Sequence, residues 1–238
     1  MKRVFAVLAL VVVANLAACE NKPAPPPPPP AAAAAPATPA ASAALLTPDP
    51  AKLNAVGPDS FAVRFTTSRG SFDVKVHRAW APRGADRLYY LASNGFFDGV
   101  RFYRVVSGFM AQFGAHGNPE IARGWDGRSI LDDPVKHSNV RGTLTFATGG
   151  PNTRTTQLFI NYVNNARLDG MGFSPVGAVM TGMPVVDSLY SGYGESPPGG
   201  QGPDQGRLGS EGNAYLVRDF PKLDSIVTVS VTGEWKKK

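Results

Sequence analysis

The sequence has little sulfur and little histidine: one cysteine, Cys19, and three histidines among 238 residues. A single cysteine excludes a disulfide within the chain. The histidines His77, His116 and His137 have no second histidine or cysteine at metal-ligand spacing, so the sequence predicts no metal site. The chain also has no G-x-S-x-G motif and no phosphate-binding loop. An enzyme built on this sequence is therefore expected to use neither a metal nor a nucleophilic side chain.

Dense positive charge is absent as well, although the formal net charge is +6. The first 18 residues contain Lys2, Arg3 and no acid, so their removal leaves 22 basic against 18 acidic residues, a net charge of +4. No basic stripe with interleaved aromatic residues occurs, and we expect no nucleic-acid partner.

The amino terminus has the pattern of a signal peptide, predicted over residues 1–18. Lys2 and Arg3 precede the apolar run "VFAVLALVVV", which is too short to span a bilayer as a helix. The following "LAAC" resembles a bacterial lipobox, in which the cysteine is lipidated. We therefore expect a lipid anchor on Cys19 that ties the protein to a membrane of the bacterial cell envelope, with its domain in the periplasm. The alternative is an ordinary signal peptide with an incidental cysteine.

Residues 19–57 are rich in proline and alanine and are predicted to form a disordered tether. A docking site for a proline-reading partner is the alternative for this segment. Composition changes near Gly57, which places one domain at 58–235 and a basic tail at 236–238.

Short alternating apolar segments dominate the domain. Phe61, Val63 and Phe65 alternate before a turn at 68–70, and Phe72, Val74 and Val76 alternate after it, which predicts a β-hairpin. Many short strands with only two helices predict a mainly β protein, a closed or nearly closed barrel with helices over its ends. Two helices are predicted, at 81–95 and 183–192, and residues 191–212 are predicted to be a long Gly/Pro loop. The other predicted strands are 100–106, 109–113, 142–147, 157–162, 176–180 and 225–235.

Arg104 is unusual because it stands among hydrophobic residues in "FYRVVSGFMAQFG", where a buried unpaired charge is costly. Alternation along the strands places apolar and polar residues in pairs on the same face. If these faces converge, they form an apolar slot with the cation of Arg104 and the amides of Gln112 and Gln157 at its edge. Such a slot suits a prolyl residue, which has a compact ring and no amide hydrogen. The alternative is a surface arginine paired with a nearby Asp. The same-face pairs are Phe102 with Arg104, Met110 with Gln112, and Gln157 with Phe159.

Three stretches, "FYRVVSGFMAQFG", "GTLTFATGGPNTRTTQLFIN" and "RLDGMGFSPVGAV", resemble the cyclophilin family of peptidyl-prolyl cis/trans isomerases in order and in spacing. The resemblance covers residues 58–235. It implies a closed antiparallel eight-stranded β-barrel capped by two α-helices, no cofactor, and proline-containing polypeptides as substrates. We expect a monomer.

The resemblance also assigns site residues. Arg104 matches the family's catalytic arginine, and Gln112 matches the glutamine beside it. The proline-pocket walls match Phe109, Met110, Phe159 and Leu168. The substrate-backbone segment matches Ala147, Thr148 and Gly149, and Gln157 is expected to lie next to that groove and to bind substrate. This chain differs from the family's common residues at Tyr103 (His), Thr148 (Asn), Leu158 (Phe) and Arg167 (Trp).

The resulting hypothesis is an envelope-tethered isomerase that acts on unfolded or exported proteins, with Arg104 stabilising the twisted X-Pro amide. Two alternatives remain open at this point. One is a chaperone or adaptor that grips prolyl segments without useful turnover. The other is a structural lipoprotein whose Gly/Pro loop and lysine tail contact envelope components.

Overall fold

The structure, a computed structural model, describes residues 43–236. The predicted signal peptide, Cys19 and most of the predicted tether lie outside the described residues. The strands are β1 (Ser60–Thr67), β2 (Gly70–His77), β3 (Arg104–Val106), β4 (Met110–Phe113), β5 (Thr143–Phe146), β6 (Leu158–Asn161), β7 (Pro175–Thr181) and β8 (Ile226–Trp235). The helices are α1 (Ala43–Leu46), α2 (Pro50–Leu53), α3 (Pro82–Ser93), α4 (Pro119–Asp126), α5 (Met183–Asp187), α6 (Gln205–Glu211) and α7 (Asn213–Asp219), with a 3₁₀ helix at Ala166–Met171.

The eight strands form one antiparallel sheet in the order β3-β4-β6-β5-β7-β2-β1-β8. The sheet curls until its edges approach each other. The Ile226 N–H donates to the Val100 carbonyl at 2.8 Å, and the Phe102 N–H donates to the Asp224 carbonyl at 3.0 Å. The prediction of a mainly β, eight-stranded antiparallel fold is confirmed; the two edges meet through irregular backbone before β3 and at the start of β8.

The alternating residues of the predicted hairpin fill the core. Phe61, Phe65 and Phe72 are almost fully buried, and the Phe65 and Phe72 rings stack at 4.9 Å between their centroids. The β1–β2 turn ends at Gly70, whose φ of 121° favours glycine. Pro82 begins α3, where its missing N–H costs nothing. The helix buries one apolar face toward the sheet: Ala85, Leu88, Leu91 and Ala92.

The predicted Gly/Pro loop is partly helical, which corrects the prediction for 191–212. Asp204 caps α6 by accepting a hydrogen bond from the Arg207 N–H at 2.8 Å, and Arg207 pairs with Glu211 one turn later. The two helices α6 and α7 build a second apolar cluster that is separate from the main core. Its buried members are Tyr103, Leu208, Tyr215, Leu216 and Leu223. The structure thus has further helices besides the two predicted ones. The second predicted helix, 183–192, ends early, at Asp187.

The last part of the predicted tether packs on the domain. Leu45 is 4% exposed, and its carbonyl accepts a hydrogen bond from the Trp125 indole N–H at 3.0 Å. The Tyr90 hydroxyl donates to the Ala44 carbonyl at 2.9 Å. Within residues 43–236, no helix combines the length and the apolar character needed to cross a bilayer.

His116 gives the fold a pH-dependent stability. Its side chain is 4% exposed, its Nδ1 accepts the Asn118 N–H at 3.0 Å, and its ring packs on Phe96. Burial lowers the pKa of His116 to about 4, below the roughly 6.5 of an unfolded chain. Between these values the unfolded state binds more protons, so the free energy of unfolding falls as the pH falls.

We expect this loss to reach on the order of 3 kcal/mol between pH 6.5 and pH 4. Urea unfolding of wild type and His116→Gln across that range measures it, because the variant lacks the titrating group. His137→Gln removes an exposed histidine and is the matched control. Equal pH slopes for wild type and His116→Gln would contradict the prediction.

Candidate active site

One row of side chains crosses three neighbouring strands. Arg104 on β3 is opposite Gln112 on β4, and Gln112 is opposite Phe159 on β6. The alternate residues Val105 and Ala111 point into the main core. The strands therefore use one face to build the barrel interior and the other to present this row on the outside.

A cavity of about 490 Å³ lies over the row. Its floor is an apolar cluster whose buried members are Met110, Phe159 and Leu168. Phe109 lies at the rim, where its ring centroid is 4.7 Å from the guanidinium carbon of the exposed Arg167. All ten site residues named from the sequence line the cavity: Arg104, Phe109, Met110, Gln112, Ala147, Thr148, Gly149, Gln157, Phe159 and Leu168.

Phe102 does not share the pocket face with Arg104, which corrects the face assignment. It is fully buried in the main core, with its ring centroid 5.2 Å from that of Phe113. The reason is local: β3 begins only at Arg104, so the alternation of an extended strand does not hold from Phe102 onward.

Arg104 is held on two sides. Its Nη1 donates to the Gln112 Oε1 at 2.8 Å and approaches the Met110 sulfur at 3.8 Å. Its Nε and Nη2 donate to the two carboxylate oxygens of Glu195 at 2.5 and 2.6 Å. The guanidinium of Arg104 holds the pKa of Glu195 below its usual range. An acidic partner, which the surface alternative anticipated, is thus present, but Arg104 also lines the cavity.

A chain of amides continues from Arg104. The Gln112 Nε2 donates to the Gln157 Oε1 at 3.1 Å, and the Tyr103 hydroxyl donates to the same oxygen at 2.6 Å. Burial raises the pKa of Tyr103, so its hydroxyl remains a donor. Tyr103 occupies the position where the family commonly has histidine, and its ring belongs to the second apolar cluster under α6 and α7. The departure is therefore explained by packing against these helices.

The segment 147–149 forms one wall of the cavity. The Ala147 N–H donates to the Gln157 carbonyl at 2.9 Å, and the Gly149 N–H donates to the Thr153 hydroxyl at 2.9 Å. The Thr148 hydroxyl bonds to the Gly150 carbonyl and lies 2.8 Å from the Thr153 hydroxyl oxygen. Thr148 thus uses its side chain within its own loop, where it steadies the wall.

Sequence reasoning missed several cavity residues. Phe173 packs edge-on against Phe159 with centroids 5.7 Å apart, and Gln205 at the start of α6 reaches the lining. Glu195 is separated from Arg104 by 91 positions. No spacing rule connects two residues so far apart, and Glu195 stood in a segment predicted to be a loop. The other missed lining residues are Thr153, Thr155 and Met171.

The arrangement suits a compact apolar ring attached to a peptide group. The floor offers apolar carbon and sulfur, and Arg104 supplies a permanent cation at its edge. Gln157 engages two donors through its carbonyl oxygen. Its amide nitrogen, which has no protein partner among residues 43–236, is left to donate to a ligand.

Comparison with known proteins identifies the family. Residues 62–202 match the family described as cyclophilin type peptidyl-prolyl cis-trans isomerase/CLD. The peptidyl-prolyl cis-trans isomerase CYP18-1 of Arabidopsis thaliana is 32% identical over 147 residues, which cover 57% of this chain and 88% of the relative. The peptidyl-prolyl cis-trans isomerase-like 1 of Rhizopus delemar is 34% identical over 131 residues, which cover 52% and 76%.

Solved structures agree on the fold. A cyclophilin type peptidyl-prolyl cis-trans isomerase of Cryptosporidium parvum aligns with a TM-score of 0.55 at 20% identity and covers 74% of this chain and 99% of its own. The same protein in the presence of the dipeptide Ala-Pro aligns with a TM-score of 0.54. With the family match and the sequence relatives, the conclusion is direct: the chain belongs to the cyclophilin-type peptidyl-prolyl cis-trans isomerases.

Proposed function

We propose that this isomerase turns X-Pro bonds in proline-containing polypeptides and that Arg104 lowers the barrier. The observation that supports this proposal is the position of the Arg104 side chain. It lines the same cavity as the buried floor residues Met110 and Phe159. A structural neighbour was determined in the presence of Ala-Pro, which supports the substrate class.

The mechanism follows from amide resonance. Rotation about the X-Pro bond breaks conjugation against a barrier of about 18–20 kcal/mol. In the twisted state the proline nitrogen regains its lone pair and becomes a hydrogen-bond acceptor. A cation that contacts this nitrogen stabilises the twisted state more than either planar state, and only such differential binding accelerates the reaction. The apolar floor meanwhile holds the ring while the other side of the bond turns.

The hydrogen bonds of Arg104 leave the edge that this mechanism needs. A guanidinium has five N–H donors, and three are used by Glu195 and Gln112. The second Nη1 hydrogen meets only the Met110 sulfur at 3.8 Å, a weak contact with a floor residue. Nη1 thus lies beside a floor residue, and the Nη1–Nη2 edge is the side of the guanidinium that Glu195 leaves unoccupied. Turnover of an X-Pro peptide by wild type and by Arg104→Ala tests the proposal.

We also propose that the enzyme is anchored by a lipid on Cys19 and acts on unfolded or exported proteins of a bacterial envelope. Support comes from the charged start, the short apolar run and "LAAC" at 16–19. Multiple acyl chains on one residue exceed the two-signal threshold for stable anchoring.

This anchoring predicts a mass and a location. In a bacterial host with lipoprotein processing, the wild-type chain is expected in the membrane fraction, cleaved before Cys19 and carrying acyl mass on that residue. Cys19→Ser should leave this fraction because it lacks the acceptor thiol. Mass spectrometry of the amino-terminal peptide is the measurement, and an unmodified Cys19 in the wild-type protein would overturn the assignment.

A further inference from the structure

We propose that Glu195 is a positioning residue for Arg104: its carboxylate holds the guanidinium so that the Nη1–Nη2 edge faces the proline pocket. The inference rests on the proposed role of Arg104. It assigns a function in the active site to the segment between α5 and α6, which the sequence analysis had linked only to envelope contacts.

The segment around Glu195 is attached to the sheet edge. Gly194 forms a backbone bridge with Val105 of β3, the residue that follows Arg104. The φ of Gly194 is 64°, a conformation that glycine adopts without strain. This bridge brings Glu195 to the side of β3 that carries Arg104, without any contribution from the side-chain pair itself.

A tight loop then fixes the Glu195 backbone and carboxylate. The Gly202 N–H donates to the Glu195 carbonyl at 2.8 Å, and the Ser196 N–H donates to the Glu195 Oε1 at 2.8 Å. A Cβ at Gly200 would lie 2.4 Å from the Glu195 carbonyl oxygen, so only glycine allows the loop to close this far. The carboxylate is thus oriented before it meets the guanidinium.

The pair has the geometry that orients an arginine. Two parallel N–H···O⁻ bonds of 2.5 and 2.6 Å join the Nε–Nη2 side of Arg104 to Glu195, and such bidentate pairs fix the plane of both groups. The Gln112 contact at 2.8 Å adds a third constraint. A free arginine samples many rotamers, and holding it in one orientation before the reaction favours the transition state.

Glu195→Gln is the sharpest variant, because the amide keeps the size of the side chain and one oxygen for the Ser196 N–H. It removes the charge and one of the two acceptors for Arg104. Glu211→Gln is the matched control: Glu211 also pairs with arginines, Arg207 and Arg218, but it lies at the end of α6 and its side chain is 36% exposed.

The readouts are kcat and KM for an X-Pro peptide and the NMR signal of the Arg104 Nε–H. Glu195→Gln should lower kcat/KM by about tenfold, the effect of a charge-assisted hydrogen bond, mainly through kcat, and should shift the Nε–H signal. Glu195→Asp, which keeps the carboxylate, should recover part of the loss. Glu211→Gln should match wild type in both.

The outcomes separate this inference from the proposed function. Loss of turnover in Arg104→Ala with unchanged or raised kcat in Glu195→Gln would overturn the positioning role; a raised kcat would identify the carboxylate as an inhibitor of the arginine. Full turnover in Arg104→Ala would instead overturn the proposed mechanism. An equal loss in Glu211→Gln would assign the effect to residues 195–211 as a whole and also overturn the inference.

Discussion

Arg104→Ala is expected to lower kcat/KM for an X-Pro peptide by about 10²–10³-fold, the usual effect of removing one preorganised donor from a transition state. The variant retains the apolar floor, so prolyl peptides should still bind. Only the interaction that forms when the proline nitrogen loses conjugation is removed. A protease-coupled assay, or exchange NMR on the peptide, measures the turnover against an uncatalysed time of roughly 10–100 s.

Two controls make this result interpretable. Arg104→Lys keeps the charge but not the planar fork, so we expect an intermediate loss. The melting temperature of Arg104→Ala should remain near that of wild type. Glu195 loses its ion-pair partner in this variant, but its side chain is 35% exposed and can be hydrated. Turnover within a few-fold of wild type in a folded Arg104→Ala protein would refute the role of Arg104.

Asp133→Ala is expected to destabilise the protein by about 3–5 kcal/mol, the cost of leaving one partner of a buried ion pair without the other. The side chains of Asp133 and Arg154 are 0% and 1% exposed. Asp133 Oδ2 accepts both Arg154 Nη1 and Nη2 at 3.2 Å and the Gly84 N–H at 2.9 Å. The substitution therefore leaves the buried Arg154 with only the partly exposed Asp132 as an acidic neighbour, and it leaves the Gly84 N–H at the start of α3 without this acceptor. Equilibrium urea unfolding gives the free energy.

Asp132→Ala is the matched control for this pair. Asp132 also approaches Arg154, at 3.3 Å, but its side chain is 36% exposed and Arg154 keeps Asp133. We expect a loss of about 1 kcal/mol or less, as for exposed pairs. If the two variants lose equal stability, burial of the pair is not the cause. In Asp133→Ala, a decrease in kcat/KM should accompany the larger loss of stability. The reason is that Arg154 directly follows Thr153, which holds the 147–149 wall of the cavity.

The barrel was predictable where one period of apolar residues decides the structure. Phe61, Val63 and Phe65 alternate along a strand, and helical spacing places Ala85 and Leu88 on one face of a helix. Each pattern leaves only one face that can be buried in the core, and the structure buries that face. The family resemblance brought together site residues from four chain segments, which the structure places around one cavity.

The helices that were missed have weaker patterns. Three glycines among residues 205–212 hide α6, although Asp204 and the Arg207–Glu211 pair mark it in retrospect. The α4 start was readable, since Asn118 caps the helix and Pro119 follows. Glu195 was beyond any local rule because its partner lies on a strand 91 positions away.

The bridge from Gly194 to Val105 has a consequence for solubility. β3 is an outermost strand of the sheet, and such strands present unpaired amide groups that can recruit a strand from another molecule. The segment that carries Glu195 occupies this position, so an extended polypeptide could pair with β3 at Val105 only by displacing Gly194.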